Sequence, residues 1–117
     1  MKRSGHLIVE VPHARDFLLS FLDLEAFKRS TFWSEHLILH TRQSLSAYLQ
    51  AAGFSVEAIV GFQRYPLANH LYWLKEGRPG GHAHWSFLRS DSLDAAYAAK
   101  LKEIDATDTL IAIATKP

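Results

Sequence analysis

The sequence predicts an α/β domain built on a mixed three-stranded sheet, and three observations carry that prediction. A short β-rich run, Leu7 to Val11, lies between Gly5 and Pro12. A helical stretch opening at Thr41 stops at Gly53 and passes directly into the Val- and Ile-rich run 54–62. A final run of β-formers, 109–115, follows a last helical stretch. Helix, glycine, strand is an ordinary step between the layers of an α/β sheet.

The first strand ends where Pro12 removes a backbone donor. From Ala14 to Phe27 the apolar residues Phe17, Leu18, Phe21, Leu22, Leu24 and Phe27 recur at three- and four-residue spacing, predicting one helix with a broad buried face. Phe32 and Trp33 open a stretch through Glu35, His36 and Leu37 to His40 that is too short for a helix of its own and reads as extended or looped. Thr41 is the cap of a helix to Ala52, with Leu45, Tyr48, Leu49 and Ala52 on one face and Gly53 as its left-handed stop. Pro66 starts a short helix through Leu71, Tyr72 and Leu74, and 77–81 is a loop of Gly, Arg, Pro and two further glycines. Ser90 or Ser92 caps the last helix, whose face is Leu93, Ala96, Tyr97, Lys100, Leu101 and Ile104. The chain contains no internal repeat and no linker, so 117 residues read as a single domain, 1–117.

Composition narrows the function. With 48% apolar and 21% charged residues the chain sits in the globular range. A formal charge of +1, with basic residues scattered along the chain, argues against a nucleic-acid partner. The absence of cysteine removes disulfides, thiolate metal sites and thiol nucleophiles together. No apolar run reaches the length of a membrane span, and Glu10 interrupts the run that follows the basic start, so the expected location is the cytoplasm.

The opening Ser4 to Pro12, with a glycine turn before a buried strand ending in Glu, Val, Pro, resembles the fifth strand of class I S-adenosylmethionine-dependent methyltransferases. Ser34, Glu35, His36 and Leu37, then Ser44 and Leu45, then Ala52, Gly53 and Phe54 follow at distances similar to those of the carboxy-terminal region of carbon methyltransferases. The likeness covers about 5 to 63, and the run Phe62 to Leu71 with Gly80, Gly81 and His82 resembles relatives that modify sugars and surface polysaccharides. The resemblance implies a partial Rossmann-like methyltransferase fold, strands five to seven with flanking helices, whose last strand inserts antiparallel beside the sixth. It also implies S-adenosylmethionine as the cofactor of a parent enzyme acting on a small metabolite such as a keto-sugar nucleotide. The glycine-rich turn that would hold most of that cofactor is not in this sequence, so Met1 reads as an internal or shortened start and this chain alone is expected not to bind the cofactor tightly. The expected macromolecular partner is a second copy or the missing amino-terminal half, because two parallel strands cannot hide both faces alone.

By the same resemblance Glu35 and His36 are the catalytic pair, the imidazole removing a proton from the carbon beside a ketone. An ordinary imidazole titrates near 6.5, which suits that task. Glu10, at the carboxyl end of a strand where α/β sheets place ligands, together with Arg64, Tyr65 and Arg78, is assigned to substrate. Gly80 and Gly81 can bring backbone amides to a phosphate. Trp33, Trp73 and Trp85 serve either as core packing or as sugar-stacking faces. His36 with His40, and His82 with His84, lack the glutamate and third ligand of a zinc peptidase motif, and no metal site is assigned. The alternative to a methyltransferase portion is a stand-alone α/β binding or assembly module without catalysis, and a histidine metal-dependent hydrolase is a third reading.

Overall fold

The computed structural model describes residues 5–34 and 39–116, and the side chains within them except those of 30–34. Its elements are β1 (His6–Pro12), a π-helical turn (Phe17–Phe21), α1 (Glu25–Ser34), α2 (Arg42–Ala51), β2 (Ser55–Phe62), α3 (Leu67–Glu76), α4 (Gly81–His84), a 3-10 turn (Ser86–Leu88), α5 (Asp91–Glu103) and β3 (Thr109–Thr115).

The sheet has the order β1-β3-β2, and both of its pairings are antiparallel. The mixed sheet expected from the sequence is thereby corrected. β3 inserts between the first two strands and separates them, so β1 and β2, although they run the same way, do not pair with each other. Pro12, Thr109 and Phe62 stand in one cross-strand row, and His6, Thr115 and Ser55 form the row at the other end.

α2 covers one face. Thr41 accepts from the Ser44 amide at 3.0 Å while the Ser44 hydroxyl accepts from the Thr41 amide at 2.9 Å, a reciprocal cap that satisfies two orphan donors. Leu45 and Leu49 then pack on Leu110, Ala112 and Ala114, with Val9, Phe54 and Ile59 around them. The two alanines on β3 let the helix approach closely, and each buried leucine contributes about 1.5–3 kcal/mol. The opposite face of the sheet carries Ile8, 71% exposed, Val60 and Phe62, the last two also exposed.

Elsewhere several helical segments differ from expectation. The helix predicted over 14–27 is two pieces, because Asp23 takes φ 51° and breaks the run between the π-helical turn and α1. The second piece continues to Ser34, so Phe32 and Trp33 lie on helical backbone rather than in an extended segment. Gly81 belongs to the short α4 instead of to the preceding loop. Ser90, not Ser92, caps α5, accepting from the Leu93 amide at 3.1 Å. Of the face predicted for α5, Leu101 alone is fully buried.

Candidate functional site

Antiparallel insertion of β3 brings the carboxyl ends of β1 and β2 and the start of β3 to the same end of the sheet, and a cleft of about 660 Å³ opens there. Glu10 to His13, Asp108 and Thr109 form its floor, Arg64 and Tyr65 its rim, and α3 supplies Asn69, His70 and Trp73. Asp16, Leu18, Leu19, Phe27 and Leu39 close the other side.

Asp108 organises this end. Its carboxylate accepts from the Arg64 amide at 2.9 Å, the Tyr65 amide at 3.0 Å, Gln63 Nε2 at 2.9 Å and the Thr109 hydroxyl at 2.8 Å, while its own amide donates to Gln63 Oε1 at 2.9 Å. The turn after β2 is thereby fastened to the start of β3. Burial pushes the Asp108 carboxyl up, and the hydrogen bonds from the Arg64 and Tyr65 amides pull against it.

Asp16 is 6% exposed and accepts from the Leu18 amide at 2.9 Å, capping the π-helical turn. Burial raises its carboxyl to about 7, against the hydrogen bond from Leu18, and the charge of Asp108 adds to the rise. His70 is also buried, and burial lowers it to about 4. Its Nδ1 lies 2.5 Å from the Tyr97 hydroxyl, and Phe17 stacks on its ring with centroids 6.4 Å apart. Burial, then the Asp16 charge, pushes Tyr97 up to about 12. Near neutral pH the cleft lining therefore holds an uncharged imidazole, His70, bonded to the Tyr97 phenol from α5, together with a carboxyl, Asp16, that can give or take a proton. That combination is suited to acid–base work on an uncharged polar group of a ligand.

A second polar cluster is centred on His13, which also lines the cleft. The His13 Nδ1 donates to the Thr107 carbonyl at 3.0 Å, Asp105 is 3.8 Å from its Nε2, and Arg42 Nε donates to Asp105 at 2.9 Å. Burial lowers His13 despite Asp105. These contacts tie the end of β1 to the α5–β3 turn and the start of α2.

Of the residues singled out in the sequence, Glu10, Arg64 and Tyr65 meet at the cleft, with Glu10 and Arg64 ion-paired. Glu35 and His36 lie outside the described residues. Arg78 is directed elsewhere, its guanidinium 5.9 Å from the centroid of the Tyr72 ring. The amides of Gly80 and Gly81 reach Asn69 Oδ1 at 3.3 and 3.1 Å, so the donors considered for a phosphate already serve a buried side chain. His40 contacts Ser44 at 3.1 Å, His82 contacts Asn69, and His84 stacks on Tyr72. Trp73 packs edge-on against Phe27 beside the cleft, and Trp85 edge-on against Tyr72.

Asp16, Asn69, His70, Tyr97 and Asp108 were not singled out by sequence. The available signal was the pair Asn69 and His70 inside the apolar run of α3, where polar side chains on a buried helix face need partners. No protein-family model matches the chain, and comparison with curated proteins and with solved structures likewise finds no match.

Proposed function

We propose that the chain is the carboxy-terminal portion of an S-adenosylmethionine-dependent methyltransferase and forms the side of the site that holds a small acceptor, a keto-sugar nucleotide being the class the sequence favours. The observation that carries this reading is the convergence of the strand ends on one cleft containing Asp16, a carboxyl able to exchange a proton near neutrality. A carbon beside a ketone must lose a proton as it gains a methyl group, and a buried carboxyl near 7 is matched to that need. The run of β3 antiparallel to β2, which the resemblance implies for the last strand, agrees with the reading.

Gly61 and Gly81 do not fit a cradle for the cofactor itself. A cradle for it needs glycine backbone facing open space, whereas a Cβ on Gly61 would meet the Thr107 hydroxyl at 2.7 Å and one on Gly81 the Ala68 carbonyl at 2.3 Å. No step through the cofactor is assigned to the residues of the cleft. Their part is to bind the acceptor, with Arg64 at the rim for its anionic end and Asp16 within for its reacting end.

Calorimetry tests this directly. A keto-sugar nucleotide titrated into the chain is expected to bind saturably, and Arg64→Ala to weaken that binding about tenfold, the loss of one charge-assisted contact. S-adenosylmethionine is expected to give no saturable heat. Saturable binding of the cofactor without binding of the sugar nucleotide would overturn the assignment.

A further inference from the structure

We infer that the edge of β1 that no described residue pairs with from His6 to Glu10 is a self-complementary surface that pairs antiparallel with β1 of a second copy about a twofold axis at Ile8. The backbone gives the first argument. His13 donates its amide to the Asp108 carbonyl on the β3 side, whereas the Pro12 carbonyl accepts from the His40 amide and Ala14 donates to the His40 carbonyl on the opposite side. Backbone groups alternate along a strand, so those of Glu10, Ile8 and His6 point the same way as Pro12, toward this edge. Among the described residues, the segment at His40 meets this edge from Pro12 to Ala14. Among the described residues nothing pairs with it from His6 to Glu10.

The two edges of the sheet are built differently. β2 carries an irregularity between Val56 and Ala58, the kind of bulge that disrupts edge pairing. β1 is regular through His6–Pro12, with no lysine and no proline before its last residue. A regular edge without such devices is a template for another strand.

The side chains select the strand that fits. Antiparallel pairing centred on Ile8 sets Ile8 against its symmetry mate, His6 against Glu10 of the other copy, and Leu7 against Val9. All three pairings are compatible, and an isologous interface requires this self-complementarity. Ile8, His6 and Glu10 project on the face away from α2, where Ile8 is 71% exposed and has much area to lose. His6 already lies 3.7 Å from Glu57, and Glu10 is paired with Arg64, yet all four side chains stay about half exposed or more. The second copy therefore joins open ion pairs into a network instead of breaking buried ones. In this register the residues whose backbone points outward form the hydrogen-bonded pairs, each exchanging two bonds.

Sedimentation and amide hydrogen exchange on the full chain test the inference. The expected result is a concentration-dependent dimer in which the Ile8 and Glu10 amides gain protection as concentration rises, while Leu7 and Val9, bonded to β3, are protected throughout. His6→Glu sets like charges opposite each other and is expected to reduce association about tenfold or more, and His6→Glu with Glu10→His to restore it. Ile8→Pro, tolerable on an edge strand, is expected to give a folded monomer by circular dichroism. A chain that stays monomeric at all concentrations, or a dimer unaffected by folded His6→Glu and Ile8→Pro variants, would overturn it. A dimer without concentration-dependent protection of Ile8 and Glu10 would place the interface elsewhere and have the same consequence.

Discussion

Two buried groups in the cleft make opposite demands on the fold, and their opposition is measurable. Asp16 has a folded value of about 7, above its ordinary 3.8, so between those values the unfolded chain is ionised while the folded one keeps the proton. The folded state then binds more protons, and stability falls as pH rises through that window, by about 4 kcal/mol in all. His70 has a folded value of about 4 against 6.5, so its cost appears as pH falls from 6.5 toward 4, and amounts to about 3 kcal/mol. The two slopes oppose each other between 4 and 6.5 and largely cancel. Asp16→Asn keeps an oxygen to accept from the Leu18 amide and removes one slope. The variant is expected to exceed the parent by about 2–4 kcal/mol at pH 8, with the difference vanishing near pH 4, when urea unfolding is followed across that range. A difference independent of pH would mean that Asp16 is solvated. Glu10, Arg64 and Tyr65 were legible in the sequence because strand ends and the turns after them gather ligands in α/β sheets. Asp16 and His70 were not, since the burial that alters their acidity arises from the folded packing and leaves no mark in the local sequence.

Individual elements were legible where punctuation and periodicity agreed. The helix from Thr41 has a capping residue, an apolar face and Gly53 at φ +92°, and it forms as predicted within a residue. The run 14–27 has the periodicity without internal punctuation, and its break at Asp23 depends on backbone contacts such as that from the Leu24 amide to the Leu18 carbonyl at 3.0 Å. The loop 77–81 shows a further limit. Its glycines mark a turn in the sequence, but Gly81 is also a close-packing position, where a Cβ would stand 2.3 Å from the Ala68 carbonyl and 2.5 Å from the Tyr72 Cβ. Neither neighbour can yield easily, because one is helix backbone and the other the base of a buried side chain. Gly81→Ala is therefore expected to cost about 1–3 kcal/mol by overcrowding and to loosen α4 from α3. Thermal unfolding would register the loss, and an unchanged midpoint would show that α4 can move away without penalty.

At the scale of the molecule, the sequence indicated three strands and their types but not which of them stands in the middle. Hydrophobicity marks β3 as the most buried strand, since Leu110, Ala112 and Ala114 are all inaccessible to solvent, yet burial alone does not distinguish a central antiparallel strand from a central parallel one. The consequence is large, because β1 and β2 touch the sheet only through β3. The face presented to Leu45 and Leu49 consists, at its centre, of β3 side chains. A chain ending at Asp108 would retain β1, α2 and β2 in sequence while losing every strand pairing that joins them. Had β1 and β2 been direct neighbours, that shortened chain would keep a pair of strands under α2 and a reduced cooperative transition. With β3 between them it is expected to be unfolded, with no cooperative thermal transition and a circular dichroism spectrum without the sheet contribution. Because the last strand completes the sheet, folding also waits on contacts between residues about a hundred apart in sequence, such as Leu7 with Ala114. Refolding of the intact chain is accordingly expected in milliseconds to seconds rather than microseconds. A shortened chain that still melts cooperatively would show that β1 and β2 can pair without the strand that separates them here.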